Sequence, residues 1–233
     1  APVAPMGAKR SSLAAAALIT TAPGADLPEP DHRFEEAVVI GNVRSNGRTP
    51  DPRDAVQARI VQGDFEAPRA DDDFELPGGG SRRWNRIDAQ DDGWINDRAL
   101  RNGYAFSSFE SEEPRIMLLD ARGHSMVFVN NEPRIGDPYR YGSTILPVAM
   151  RPGANEFLFQ CARGGVKANL RPLPKDADGE DMGVFFLERD DTLADVIRGR
   201  NESLEMGVIV VNATRSPVRE LIRVRRDGQL VEL

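Results

Sequence analysis

Between Pro114 and Gln160 apolar and polar positions fall into short, regularly bounded runs. The runs are Arg115-Ile116-Met117-Leu118-Leu119-Asp120, then Ser125-Met126-Val127-Phe128-Val129, the pair Asn130-Asn131, Leu146-Pro147-Val148, and Arg151-Pro152-Gly153-Ala154-Asn155 leading into Phe157-Leu158-Phe159. They are rich in β-branched and aromatic residues and closed by Gly, Pro or Asn, the signature of strands and hairpins. Asn130-Asn131 predicts a type I′ turn, because asparagine tolerates positive φ.

Neighbouring segments extend the pattern. Tyr104, Phe106 and Ser108 alternate with Ala105, Ser107 and Phe109, which predicts an opening strand. Val166 to Pro172, after the turn Ala162-Arg163-Gly164-Gly165, predicts a closing one, and Val38-Val39-Ile40 an earlier one. Ala55 to Gln62 alternates as a half-buried strand but also offers Val56 and Ile60 at helical spacing. Glu66 to Arg83, with three aspartates and three glycines in runs, reads as a long polar loop. Near the end, Gly183 to Leu187, Gly207 to Asn212 and Leu221 to Val224 are further strands, with Asp227-Gly228 turning into Gln229-Leu230-Val231. Asp191 to Ile197 looks like a helical turn capped by Asp190 or Asp191. The expected fold is therefore all-β. Residues 1–33 are an extended arm, 34–172 a β-sandwich centred on 84–172, and 173–233 a second, partial β-unit.

Composition changes this picture little. A chain of 233 residues with 40% hydrophobic content can bury a substantial core, and 17 prolines with 21 glycines suit short strands. The net charge of -7 repels polyphosphate. The basic cluster Arg215, Arg219, Arg223, Arg225 and Arg226 reads as a charged edge strand, so no nucleic-acid partner is expected. The single Cys161 follows Phe157 and Phe159 at a spacing of two and should point into the core. Lys9-Arg10, the alanine-rich run 13–20 and small residues at 22, 24 and 25 resemble a vestigial export signal, with an ordinary linker or short helix as the alternative, and the run is too short to span a bilayer.

Two stretches imitate catalytic or metal motifs and fall short. Gly123-His124-Ser125-Met126-Val127 resembles a nucleophile elbow but ends in valine and lies in a strand, where His124 and Ser125 face opposite ways. Asp88 to Asn96 imitates a calcium loop, yet Ala99 stands where the bidentate carboxylate belongs, so a solvated acidic turn is expected. Asn201-Glu202-Ser203 and Asn212-Ala213-Thr214 are glycosylation sequons relevant only to a eukaryotic secretory route. Neither a catalytic residue nor a cofactor is expected.

The order Val129-Asn130-Asn131-Glu132, a loop with Gly136 and Tyr139, Leu146-Pro147-Val148, Arg151-Pro152-Gly153-Ala154-Asn155 and an aromatic strand resembles the galactose-binding-like jelly roll. With Gly93-Trp94 and Gly103-Tyr104-Ala105, it is similar to the version found N-terminal to serine hydrolases of the prolyl-oligopeptidase or esterase type in exported bacterial proteins. Asn131 departs from the usual glycine. The resemblance implies an exported, non-catalytic accessory module that binds carbohydrate weakly or holds a hydrolase domain. Asp137, Tyr139, Arg140 and Tyr141, extended by Trp94, offer the flat apolar faces and charged groups a pyranose needs. The alternative for the tyrosines is that they pack the loop onto the core or against a neighbouring domain. Two other functions stay open: an assembly subunit binding protein partners through sandwich edges and the Arg-rich end, and the N-terminal portion of a secreted esterase or peptidase.

Overall fold

The computed structural model describes residues 24–44, 54–77, 79–142, 144–187 and 209–218, and the backbone of two further strands at 223–226 and 229–232. The export-like run, the helical turn expected at 191–197 and the sequon at 201–203 lie outside these residues. In chain order the strands are β1 (Gly24–Ala25), β2 (His32–Arg33), β3 (Glu36–Ile40), β4 (Asp73–Glu75), β5 (Ser81–Arg83), β6 (Asn85–Asp88), β7 (Ile95–Asn96) and β8 (Gly103–Ser111). They continue as β9 (Arg115–Arg122), β10 (His124–Val129), β11 (Glu132–Ile135), β12 (Ile145–Met150), β13 (Gly153–Cys161) and β14 (Gly165–Arg171). The last are β15 (Val184–Leu187), β16 (Val210–Asn212), β17 (Arg223–Arg226) and β18 (Gln229–Glu232). One α-helix, α1 (Ala55–Gln62), falls among the described residues.

Two sheets form the sandwich, one ordered β11-β10-β13-β8-β3-β6 and the other β12-β9-β14-β2 with β7 against β14. Strand alternation sends every second residue inward. Val127, Val129, Phe157, Phe159 and Cys161 of the first sheet meet Met117, Leu119, Val148, Val166 and Leu170 of the second in one apolar cluster. Truncating a ring such as Phe157 in this layer costs about 3–5 kcal/mol, the transfer energy plus a cavity. Cys161 is buried here as expected, and desolvation pushes its thiol up to about 12.

Gly123 carries the chain from β9 in the second sheet to β10 in the first. Its φ is +91°, and a Cβ there would strike the Gly165 carbonyl and lie 3.0 Å from the Trp94 ring. The next turn, Asn130-Asn131, has φ of 51° and 68° at its two positions, with Val129 paired to Glu132 across it. Both are the positive values that a type I′ turn requires.

Each sheet's outer face is covered in part. Over the first lie α1 and the β4–β5 hairpin, packing Val56, Phe74 and Trp84 on Ile40, Tyr104, Phe128 and Leu158. Two expectations change here. Ala55 to Gln62 is a helix rather than a strand: Asp54 caps it by accepting from the Val56 and Gln57 N–H groups, and Gly63 closes it in the left-handed region. The polar stretch 66–83 holds a hairpin rather than an unstructured loop, with Phe74 buried against Trp84 at 6.4 Å between rings.

Over part of the second sheet lies a third, ordered β1-β15-β16, whose Phe185, Leu187 and Val211 cluster with Leu118 and Ile145. The arm and the segment after 173 thus both contribute strands: β1 pairs in parallel with β15, and β2 pairs with β14. Gly24–Pro217 forms one compact unit. Outside it, β17 and β18 pair as the expected antiparallel ribbon. No helix among the described residues is long and apolar enough to cross a membrane.

Candidate functional site

The loop from Gly136 to Gly142 hangs from one buried carboxylate. Asp137 is 4% exposed; its Oδ1 accepts from the Tyr141 N–H at 3.0 Å and its Oδ2 from the Gly142 N–H at 2.6 Å. Its carbonyl accepts from Gly123 at 2.8 Å and from Arg140 at 3.3 Å, tying the loop to the crossover between the sheets. A short aspartate gripping its own following backbone is an Asx-type turn. Arg140 sits at φ 65° and Gly142 at φ 68°, where a Cβ on Gly142 would approach the Arg122 guanidinium at 2.6 Å. Asp137 therefore stands beneath the loop and fixes its shape, rather than at its surface.

What the loop presents is aromatic. Tyr139 and Tyr141 are 60% and 71% exposed, and their rings stack 5.7 Å apart at 21°. They do not pack the loop onto the core. Arg163 lies 4.8 Å over the Tyr139 ring and Arg140 4.2 Å over Trp94, so cations brace both ends of the row. Trp94 is half-buried, held by its N–H to Asp92 Oδ1 at 3.1 Å. Four of the five expected residues thus meet around one surface, and Asp137 supports it from within. Arg163, missed from sequence, comes from the turn between β13 and β14, and only its neighbourhood to paired glycines marks it.

Below the loop His124 is buried, 1% exposed, with neither ring nitrogen hydrogen-bonded among the described residues. Its ring meets Phe159 edge-on at 5.4 Å. Desolvation lowers its pKa to about 4 against the opposing pull of Asp137, so it is neutral at pH 7. Ser125 faces the other way, donating to the Gln160 carbonyl at 3.1 Å, and the two are not a catalytic pair. In the calcium-like stretch, Gly93 donates to the Gln90 carbonyl at 2.7 Å and Gln90 accepts from the Asn96 amide at 2.9 Å. Those hydrogen bonds close the turn on itself. Among the described residues no group of three or more His, Cys, Asp or Glu is arranged to hold a metal.

A second polar feature opens on the outer face of β9 and β14, where the third sheet does not cover them. This cleft of ≈ 700 Å³ has Asp120, Arg122, Lys167, Asn169 and Arg171 on its floor. Strand alternation turns these residues outward while Ala121, Ala168 and Leu170 enter the core. That alternation is visible in the sequence, but which outer face stays open is not.

No protein-family model, no curated protein and no solved structure matches the chain.

Proposed function

We propose that this chain is a non-catalytic, galactose-binding-like accessory module of an exported hydrolase, binding carbohydrate weakly through Trp94, Tyr139 and Tyr141. The carrying observation is the stacked, exposed pair Tyr139 and Tyr141 on a loop pinned by Asp137. Pyranose rings offer C–H faces that dock on such platforms, while Arg140 and Arg163 supply hydrogen-bond donors at the edge. Because the loop is held by hydrogen bonds, little ordering entropy is lost on binding. The affinity stays weak because the surface is open rather than enclosed.

Titrating the full chain against neutral plant and bacterial polysaccharides tests this reading. Binding should occur with the unaltered chain and disappear in Tyr139→Ala/Tyr141→Ala, two exposed positions whose truncation leaves the core intact. A glycan that binds the double variant equally well overturns the site, and absence of binding to every glycan overturns the function.

One observation favours a second reading, that the chain holds a protein partner such as a hydrolase catalytic domain. Ile135, 69% exposed, shares the segment of the exposed tyrosines and gives the surface an apolar residue no sugar requires. A stable complex recovered by pulldown and unaffected by added sugars would select this reading. A downstream serine-hydrolase domain in the extended reading frame would identify the partner, and its absence would remove the esterase or peptidase reading.

A further inference from the structure

The cleft on β9 and β14 contains a polar group the fold leaves unused. Asn169 is 8% exposed, yet its side-chain amide makes no hydrogen bond among the described residues. The amide lines the cleft, where a ligand can reach it. Its neighbours across the sheet are Asp120 on one side and Arg33 on the other. Asp120 is already served: Arg171 donates to its Oδ2 from Nε at 3.1 Å and Nη2 at 2.9 Å, and spends Nη1 on the Pro28 carbonyl at 2.6 Å. Lys167 is likewise engaged, on the Asp92 carbonyl at 2.6 Å.

Two further cations stand at the cleft. Arg33 is exposed and, among the described residues, has neither an ion pair nor a side-chain hydrogen bond. Arg122 is ion-paired with Asp120 at 3.7 Å from Oδ1 and lies against Gly142, so only part of its donor set can turn to a ligand. An unengaged amide beside two guanidinium groups suits an oxyanion and an adjacent hydroxyl. The rim is of opposite sign, carrying Glu35, Asp88, Asp91 and Asp92, so a continuous polyanion is repelled. Carboxylates there can accept from neutral hydroxyl groups. The combination fits one acid group carried on a hydroxylated ring.

We infer that this cleft is a subsite for an anionic pyranose, with Arg33 and Arg122 holding the oxyanion and Asn169 a neighbouring hydroxyl. The inference rests on the carbohydrate reading, and the two surfaces adjoin. Arg122 precedes Gly123, which touches Trp94, and Gly93 beside Trp94 lines the cleft. An oligosaccharide stacked on Trp94 can therefore place its next unit on the floor. The oxyanion can be a uronic carboxylate or a sulfate ester, which share this chemistry.

The test is calorimetric titration of the full chain with a galacturonate oligosaccharide, a sulfated galactan oligosaccharide and a neutral galactan of equal length. At least one anionic ligand should bind about tenfold more tightly than the neutral one, the advantage expected of one charge-assisted contact. Arg33→Gln, which removes no side-chain hydrogen bond or ion pair among the described residues, should abolish that advantage and leave neutral binding unchanged. Asn169→Ala should reduce it, and Tyr139→Ala/Tyr141→Ala should weaken all ligands alike. An anionic advantage that survives both Arg33→Gln and Arg122→Gln overturns the subsite, as does equal binding of all three ligands. Absence of binding by every oligosaccharide overturns the carbohydrate reading with it.

Discussion

The Asn130 side-chain amide donates to Asn155 Oδ1 at 3.0 Å, joining the turn that ends β10 to the turn that begins β13. Asn130 Oδ1 also accepts from the Glu156 N–H at 3.0 Å. Asn155, fully buried, further accepts from the Arg151 N–H and donates to the carbonyls of Arg151 and Gly153. These four bonds use the whole capacity of one amide. The two asparagines that carry the resemblance to the galactose-binding-like motif therefore share one hydrogen bond.

Replacing Asn155 with leucine leaves the Arg151 N–H and two carbonyls without their partner. The expected loss is about 2–4 kcal/mol, as for other broken buried networks. Urea unfolding followed by tryptophan fluorescence measures it, and a loss within about 0.5 kcal/mol of zero, the range of ordinary surface changes, contradicts the assignment.

Tyr104 Oη donates to Asp54 Oδ2 at 2.8 Å, so the carboxylate that caps α1 also anchors the helix to β8. Burial and the nearby carboxylate push the tyrosine hydroxyl well up, keeping it a donor. Tyr104→Phe should cost about 1 kcal/mol and Asp54→Ala about 2 kcal/mol, since the second change removes both cap and anchor. In the double variant the effects should fall short of additive, because they share a bond.

His124 binds its proton more weakly folded, with a pKa of about 4, than at its ordinary 6.5. Between those values the unfolded chain holds more protons, so its contribution to stability is full above about pH 6.5 and declines as pH falls toward 4. The decline amounts to about 3 kcal/mol. In His124→Leu, measured by urea unfolding across this range, the slope should flatten. Parallel pH profiles for the two proteins would remove His124 as its source.

Asp137→Asn retains the shape of the side chain but presents an amide NH₂ to one of the two backbone N–H groups at Tyr141 and Gly142. The loop should loosen, weakening glycan binding several-fold, while the Arg33-dependent preference for anionic ligands persists. Titration of both ligand types separates this positioning role from direct contact.

The hairpin at Asn130-Asn131 is legible because turn chemistry is local: two residues that accept positive φ stand between two apolar runs. Cys161 is legible for a similar reason, period two. The helix α1 is not, because Val56, Ala58 and Ile60 satisfy strand alternation while Val56 and Ile60 also satisfy a helix, and only Asp54 and Gly63 decide. The hairpin within 66–83 hides because its apolar anchors, Phe74 and Leu76, are few among charges. Of the candidate site, the aromatic loop and Trp94 are readable as residue types. The inward turn of Asp137 is set by its bonds to Tyr141 and Gly142, and the cleft by three strands distant in sequence.

At one border of the larger sheet, β11 places Pro133 between Glu132 and Arg134. Proline brings no N–H to a ladder, and the flanking charges are poorly tolerated between stacked chains. A foreign strand meeting this border finds a gap in its zipper. Copies of the protein crowded together therefore do not knit into a continuous fibre through this side.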